Sequence, residues 1–378
     1  LEQDNLSSEF NSLIEKITSL QEIIDDKRVL QKVIKDELNA IKETYGDERR
    51  TDINDTRQDI SNEDLIPEET RVLTISRTGY AKTQPLEEYR EQRRGGQGKA
   101  AAKVKEEDVI QNLYVLSSHS QMLCFTTKGK VYWLKVYEVP VASRTSKGRP
   151  LVNMLNLDDD EKVSDILPVD EFSEDRYVFM ATRKGTTKKT QLSFFAKKYK
   201  SGIKAINLDS DDELIGSAIT NGDDEILLAS SAGKLIRFSE KKVRPMGRTA
   251  RGVRGMRIKK DQQIISLMVA DNEKEILCVS ENGFGKKTPV DDFPTHNRGG
   301  QGVISIKTSE RNGLMVASTL VDNNDGIMLI SDKGTMIRTS AEQIPTISRN
   351  TQGVKIISPK EGEKILECVR IDPEEEEE

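Results

Sequence analysis

The chain has 378 residues, with 58 basic against 64 acidic residues for a formal charge of −6, three cysteines and two histidines. No run of eighteen apolar residues occurs, so no membrane-spanning helix is expected and a membrane is not among the expected partners. Cys124, Cys278 and Cys368 lie in apolar runs without metal-ligand spacing, and His119 and His296 have no clustered partner; this excludes a disulfide scaffold and a metal centre and fits reduced thiols in a cytoplasmic protein.

From the N-terminus, Leu6, Phe10, Leu13, Ile17, Leu20 and Ile24 follow the four-and-three spacing of a coiled-coil seam. The seam resumes after Lys27 and Arg28 with Leu30, Ile34, Leu38, Ile41 and Tyr45, in a shifted phase. The spacing predicts a long coiled-coil helix over residues 1–45, whose single apolar stripe needs a partner helix that this chain does not supply. Residues 46–70 are polar, rich in acids and contain Pro67, and are read as a linker. The chain starts at Leu1 without a methionine or a signal-peptide pattern, which points to a piece of a longer protein.

From Arg71 to Asp372 six copies of one unit follow, each about fifty residues long. A turn glycine marks each copy: Gly79, Gly129, Gly185, Gly233, Gly283 and Gly334, spaced by 50, 56, 48, 50 and 51 residues. A second glycine keeps the same period at Gly98, Gly148, Gly202, Gly252, Gly302 and Gly353. Around the first glycine, runs such as EILLASSAGKLIRF read as a hairpin whose two-residue turn requires positive φ, and two further strand-like runs follow the second. Four strands per repeat, repeated radially so that sheet edges are removed, give an all-β, six-bladed β-propeller-like pinwheel over residues 71–372. Residues 373–378 form an acidic tail.

The overall charge hides a basic body. Residues 1–66 hold 9 basic and 17 acidic residues and residues 372–378 hold six acidic ones, which leaves 49 basic and 41 acidic residues, a balance of +8, over 67–371. The richest stretch runs from Lys241 to Lys260, with nine Lys or Arg and no acid. It includes Lys241, Lys242, Arg244, Arg248, Arg251, Arg254 and Arg257, and a flexible basic arm of this kind on a rigid blade suits a phosphate backbone. The acidic cluster Asp158 to Glu161 lies between strands and is read as a solvated turn, not a metal site. The most specific motif is Gln92-Arg93-Arg94-Gly95-Gly96-Gln97-Gly98-Lys99 in the first repeat. It is not a nucleotide loop, because no Lys-Ser or Lys-Thr follows and no strand-to-helix junction surrounds it. Its glycines expose backbone N–H groups beside Arg93, Arg94 and Lys99, a combination suited to phosphate. A weaker echo, Asn297 to Gly302, recurs at the same phase of the fifth repeat and contains Arg298.

The segment Gln92 to Gly98 resembles the box Gln-Arg-Arg-Gly-Gly-basic-Gly that marks the C-terminal domain in the family of DNA gyrase A subunits, and Tyr45 to Thr51 resembles the end of that family's tail helix. Gln97 departs from the pattern, removing one charge, with Lys99 adjacent. The resemblance covers the whole chain. It implies a DNA-wrapping pinwheel that lets the assembled, ATP-dependent type II topoisomerase introduce negative supercoils in the bacterial cytoplasm. It also implies duplex DNA, the rest of the gyrase A polypeptide and the gyrase B polypeptide, in a complex of two of each, as partners. No catalytic residue and no cofactor is expected in this segment, with ATP and Mg belonging to the complete enzyme. Further DNA contacts are expected at matching places in successive repeats: Lys147 and Arg149; Lys197, Lys198, Lys200 and Lys204; the basic arm; and Arg298. Two alternatives remain in the sequence. The related topoisomerase IV polypeptide carries a similar domain with a degraded box, and a protein-binding propeller would explain the repeats but give the box no task.

Overall fold

The computed structural model describes residues 2–47, 65–76, 78–86, 110–143, 146–158, 160–333, 336–359 and 362–371, and divides the chain into two compact units, 1–61 and 62–378. In the first unit the expected single helix is two: α1 (Glu2–Asp25) and α2 (Lys27–Tyr45). The break has a local cause. Asp26 takes an extended backbone (φ −114°, ψ 109°) and its carboxylate accepts the Arg28 N–H at 2.8 Å, so it caps a new helix at the point where the apolar seam changes phase. The seam residues of both helices are exposed in this chain.

The second unit is a ring of six small antiparallel sheets. In the fourth blade, β12 (Glu225–Ser230) and β13 (Lys234–Ser239) form the hairpin, and β15 (Ile264–Val269) lies on the other side of β12. The turn between β12 and β13 has three residues, Ser231, Ala232 and Gly233, and not the two expected from sequence. Gly233, at φ 71°, takes the left-handed last position that returns the chain to its partner strand, and its N–H closes on the Ser230 carbonyl at 3.0 Å.

The fourth strand of the blade comes from elsewhere. β18 (Val303–Ile304), which belongs to the fifth repeat, pairs with β13. The same exchange recurs throughout: β6 (Arg149–Pro150) completes the first blade, β10 (Ile203–Lys204) the second, β14 (Val253–Arg254) the third and β22 (Val354–Lys355) the fifth. The second to sixth repeats therefore each have the four strands expected, but lend one of them to the blade before. The sixth blade shows three described strands, β20 (Gly326–Ser331), β21 (Met336–Ser340) and β23 (Ile365–Ile371), and the matching donor positions of the first repeat lie outside the described residues. So do the Gln92 to Lys99 box, most of the linker and the acidic tail.

Apolar residues bury between blades as well as within them. Phe179 of the third blade meets Phe238 of the fourth at 6.3 Å between ring centres, in a cluster with Ile226, Leu228, Val243 and Met256. Toward the centre of the ring the links are polar: Asp165 accepts the Ser217 N–H at 2.7 Å and its hydroxyl at 3.0 Å, and Ser266 donates to the Ser318 carbonyl at 2.6 Å. Cys124 and Cys278 are buried, and burial pushes the Cys124 thiol up to about 12, so it behaves as a packing group.

Candidate nucleic-acid interface

The exchanged strands end a set of arms, one from each of the second to sixth repeats, that cover the outer edge of the preceding blade. Each described arm begins with a single helical turn, and those of the second, fourth, fifth and sixth repeats also carry a proline and form a parallel bridge: Thr83 with Val141, Lys189 with Pro245, Arg237 with Thr295 and Lys287 with Thr346. It then loops outward and returns antiparallel through the short exchanged strand. At the return stands the second glycine of the repeat. Gly252 has φ 100°, and a Cβ there would lie 2.5 Å from the Thr187 carbonyl; at Gly302, φ 69°, it would lie 2.4 Å from the Leu235 carbonyl. The periodic glycine is thus the residue that lets an arm close onto its neighbour's backbone.

Backbone and side-chain bonds join arm to arm around the ring. The Asn207 N–H donates to the Ala250 carbonyl at 3.2 Å, Arg257 N–H to Gly300 at 2.7 Å and Lys307 N–H to Thr351 at 2.8 Å, and the Asn156 amide donates to the Lys200 carbonyl at 3.3 Å. These bonds make the arms of the second to sixth repeats one continuous band. Alignment on the returning glycine places a basic residue four positions before it in every repeat: Arg94, Arg144, Lys198, Arg248, Arg298 and Arg349. Arg94 and Arg144 lie outside the described residues.

Among the expected contacts, Lys147, Arg149, Lys197, Lys198, Lys200, Lys204, Lys241, Lys242, Arg244, Arg251, Arg254 and Arg257 are exposed on these arms. Lys147 lies 5.7 Å from the centre of the Tyr80 ring and Lys197 5.5 Å from that of Tyr199, which leaves both ammonium groups at the surface. Lys241 is ion-paired with Asp223, and Arg251 with Asp209 at 3.3 Å; both pairs are exposed, so a phosphate can replace the carboxylate at small cost. Arg298 is half-buried and engaged: its guanidinium donates to the Lys242 carbonyl at 2.8 Å and the Arg254 carbonyl at 3.1 Å, so it fastens the fifth arm to the fourth. Asp158 pairs with Lys130, and Glu161 accepts from Thr126 at 2.5 Å and Tyr132 at 3.0 Å, which commits these two carboxylates to the protein. No cluster of His, Cys, Asp or Glu able to hold a metal ion occurs among the described residues.

Two features escape a reading of the sequence by charge density. Arg349 and Lys355 continue the basic columns into the sixth arm, in a stretch too mixed in composition to stand out. Beneath the arms, the second strand of the hairpin carries buried cations in the first, third, fourth and fifth blades. Lys189 meets Glu240 at 3.2 Å and Lys287 meets Glu275 at 2.8 Å, while Arg237 donates to Glu225 at 2.7 Å. One residue earlier, Lys82, Lys188 and Lys286 donate to backbone carbonyls. A lysine or arginine inside a short strand, as in TTKKTQ, KLIRFS and FGKKTP, is the signal for these pairs, since a cation facing the interior needs a partner.

Known proteins share this architecture. A family model described as DNA gyrase C-terminal domain, beta-propeller, matches residues 70–117, 120–170, 176–221, 224–271, 274–321 and 327–372, one segment per repeat. The DNA gyrase A subunit of Salmonella typhimurium is 49% identical over 350 residues, covering 92% of this chain and 40% of the relative; that of Pseudomonas aeruginosa is 44% identical over 414 residues, covering 98% and 45%. The chain thus spans less than half the length of these curated relatives. Among solved structures, a DNA gyrase A C-terminal domain aligns with a TM-score of 0.63 and 24% identity, over 80% of this chain and all of that one. The C-terminal domain of a DNA topoisomerase IV aligns at 0.70 and 24%, over 81% and 94%. At that identity these two show the fold.

Proposed function

The chain belongs to the DNA gyrase C-terminal domain family, a β-propeller, and on that footing we propose that its ring binds duplex DNA along the arms and bends it around the outer edge. The observation that carries the reading is the continuous band of hydrogen-bonded arms, each with a basic residue four positions before its returning glycine. A rigid strip of regularly spaced cations matches a strongly bent backbone and carries no base-reading element, so the binding is sequence-tolerant. Bending is demanding: a half-turn over about 40 base pairs costs on the order of 10 kcal/mol. Many phosphate contacts, each releasing counterions, offset it. Within a complete gyrase of two A and two B subunits in a bacterial cytoplasm, the bent segment is then presented for ATP-driven strand passage that introduces negative supercoils. ATP and Mg act in the other segments of that enzyme, and this chain positions DNA without breaking it. The relatives named as gyrase A subunits, at 44–49% identity, favour gyrase over topoisomerase IV.

The test is a gel shift of the chain with random-sequence duplex at two salt concentrations. With six to ten phosphate contacts, affinity falls roughly a thousandfold to a hundred-thousandfold between 50 and 200 mM salt. Affinity that does not change over this range excludes the reading and leaves the protein-binding propeller.

A further inference from the structure

Three residues after the hairpin glycine, successive repeats carry Lys82, Tyr132, Lys188, Ile236, Lys286 and Ile337. The lysines occupy alternate blades, and all three are buried, Lys188 and Lys286 completely. Their ammonium groups meet the arm that crosses above. Lys82 donates to the carbonyls of Ser143 (3.2 Å) and Ser146 (3.0 Å), on either side of Arg144. Lys188 donates to the carbonyl of Arg248 and to that of Ala205 at 2.5 Å. Lys286 donates to the carbonyls of Ser348 at 2.6 Å and Arg349 at 2.7 Å. In two of the three arms the lysine thus holds the carbonyl of the very residue that recurs as basic four positions before the returning glycine; in the third its acceptors are Ser143 and Ser146, and Arg144 lies outside the described residues.

The contrast with the next position is informative. Lys189, Arg237 and Lys287 are buried with carboxylates, which compensates their charge, whereas these bonds of Lys188 and Lys286 all end on carbonyls. A buried ammonium whose hydrogen bonds end on carbonyls is less well compensated than one bonded to a carboxylate, and an apolar side chain of similar length would remove that cost. The intervening second and fourth blades do use other groups. There a Cβ on Gly202 would press on the Tyr132 ring, and Gly300 lies over Ile236, so those arms rest on apolar surface. Packing alone can therefore seat an arm, and the lysines in the other blades have a different task.

Resting on the DNA-binding reading of the arms, we infer that Lys82, Lys188 and Lys286 are positioning residues for phosphate contact: each fixes from below the backbone that carries an arm's basic side chain, and adds positive potential under the bound strand without touching it. Burial, followed by the like charge of Arg248, holds Lys188 down at about 7; burial also lowers Lys286, to about 8. Lys286 is further faced by Arg349 from its arm, Asp292 from the following turn and the Cys278 thiol from the adjacent strand. Phosphate overhead favours the protonated form of both. Raising the pH removes the charge and weakens the hold.

The sign of this effect separates positioning from structure. A lysine whose value is lowered in the fold binds fewer protons there than in the unfolded chain, so its contribution to stability rises with pH from about 7 toward the ordinary lysine value. DNA bending should move the other way. The experiment uses the full chain, wild type and the double variant Lys188→Met/Lys286→Met, with an end-labelled 40-base-pair duplex read by energy transfer from pH 6.5 to 9, alongside thermal unfolding. At pH 6.5 the double variant is expected to unfold at the same or a higher temperature yet bind at least about tenfold more weakly, the scale of one charge-assisted hydrogen bond. Wild-type affinity is expected to fall between pH 7 and 9, and the variant's to stay flat. Variant affinity and pH profile equal to wild type overturn the inference and leave DNA binding by the arms intact. Should the variant fail to fold, the wild-type profile decides: affinity constant from pH 7 to 9 overturns it. A wild type that neither binds nor bends the duplex at any pH removes the reading of the arms itself.

Discussion

Single residues decide whether an arm closes on the neighbouring blade. Glu240 is fully buried at the start of the fourth arm, where it accepts from the N–H groups of Gly222 (2.8 Å) and Asp224 (2.9 Å), from the Thr220 hydroxyl (2.9 Å), and pairs with Lys189 at 3.2 Å. Glu240→Ala strands a buried ammonium and three donors, and is expected to cost about 3–5 kcal/mol, measured by denaturant unfolding. A loss under 1 kcal/mol would show that water reaches the site. Gly302→Ala acts by geometry: the new Cβ meets the Leu235 carbonyl at 2.4 Å in a left-handed backbone. An expected loss of about 1–3 kcal/mol follows from that strain, with weaker DNA bending because the fifth arm lifts. Gly247→Ala, where nothing lies within 4 Å and φ is ordinary, serves as the control and should be nearly neutral.

At the scale of elements, the arm is the functional unit. Arg248, Arg251 and Arg254 stand on one arm, and replacing all three by alanine is expected to reduce the slope of log affinity against log salt by about one per lost phosphate contact. An unchanged slope would assign these residues to solvent. Much of this was legible in the sequence. Periodic glycines announced both the hairpins and the arms because each takes a backbone that other residues resist, and the Lys241 to Lys260 run marked one arm by charge. The lending of a strand to the preceding blade was not legible, since a two-residue strand has no periodicity of its own. Nor was the role of Arg298, whose guanidinium is engaged by carbonyls of the fourth arm that are distant in sequence. The break at Asp26 was foreshadowed only by the phase shift of the seam, since a single capping carboxylate decides between one helix and two.

The whole molecule combines an acidic helical segment and tail with a cationic ring, so that net charge conceals the surface on which function rests. Successive exchange of strands ties each described blade to the next, and the bonded arms turn separate cations into a band; local loss of one arm should weaken bending more than binding. The box Gln92 to Lys99 lies outside the described residues, at the phase of the first repeat where the later repeats carry their arms, and the proposal requires it to complete the wrap. The central claim is bending around the ring, and linking number reads it directly: nicked circular DNA is sealed by ligase in the presence of the full chain, at 50 mM salt, and its topoisomers are separated after the protein is removed. The expected result is a shift in linking number that grows with protein, is lost when Gln92 to Lys99 are replaced by alanine, and vanishes at 300 mM salt. A distribution identical to that of free DNA, under conditions where a gel shift shows the circle saturated with protein, would contradict the account.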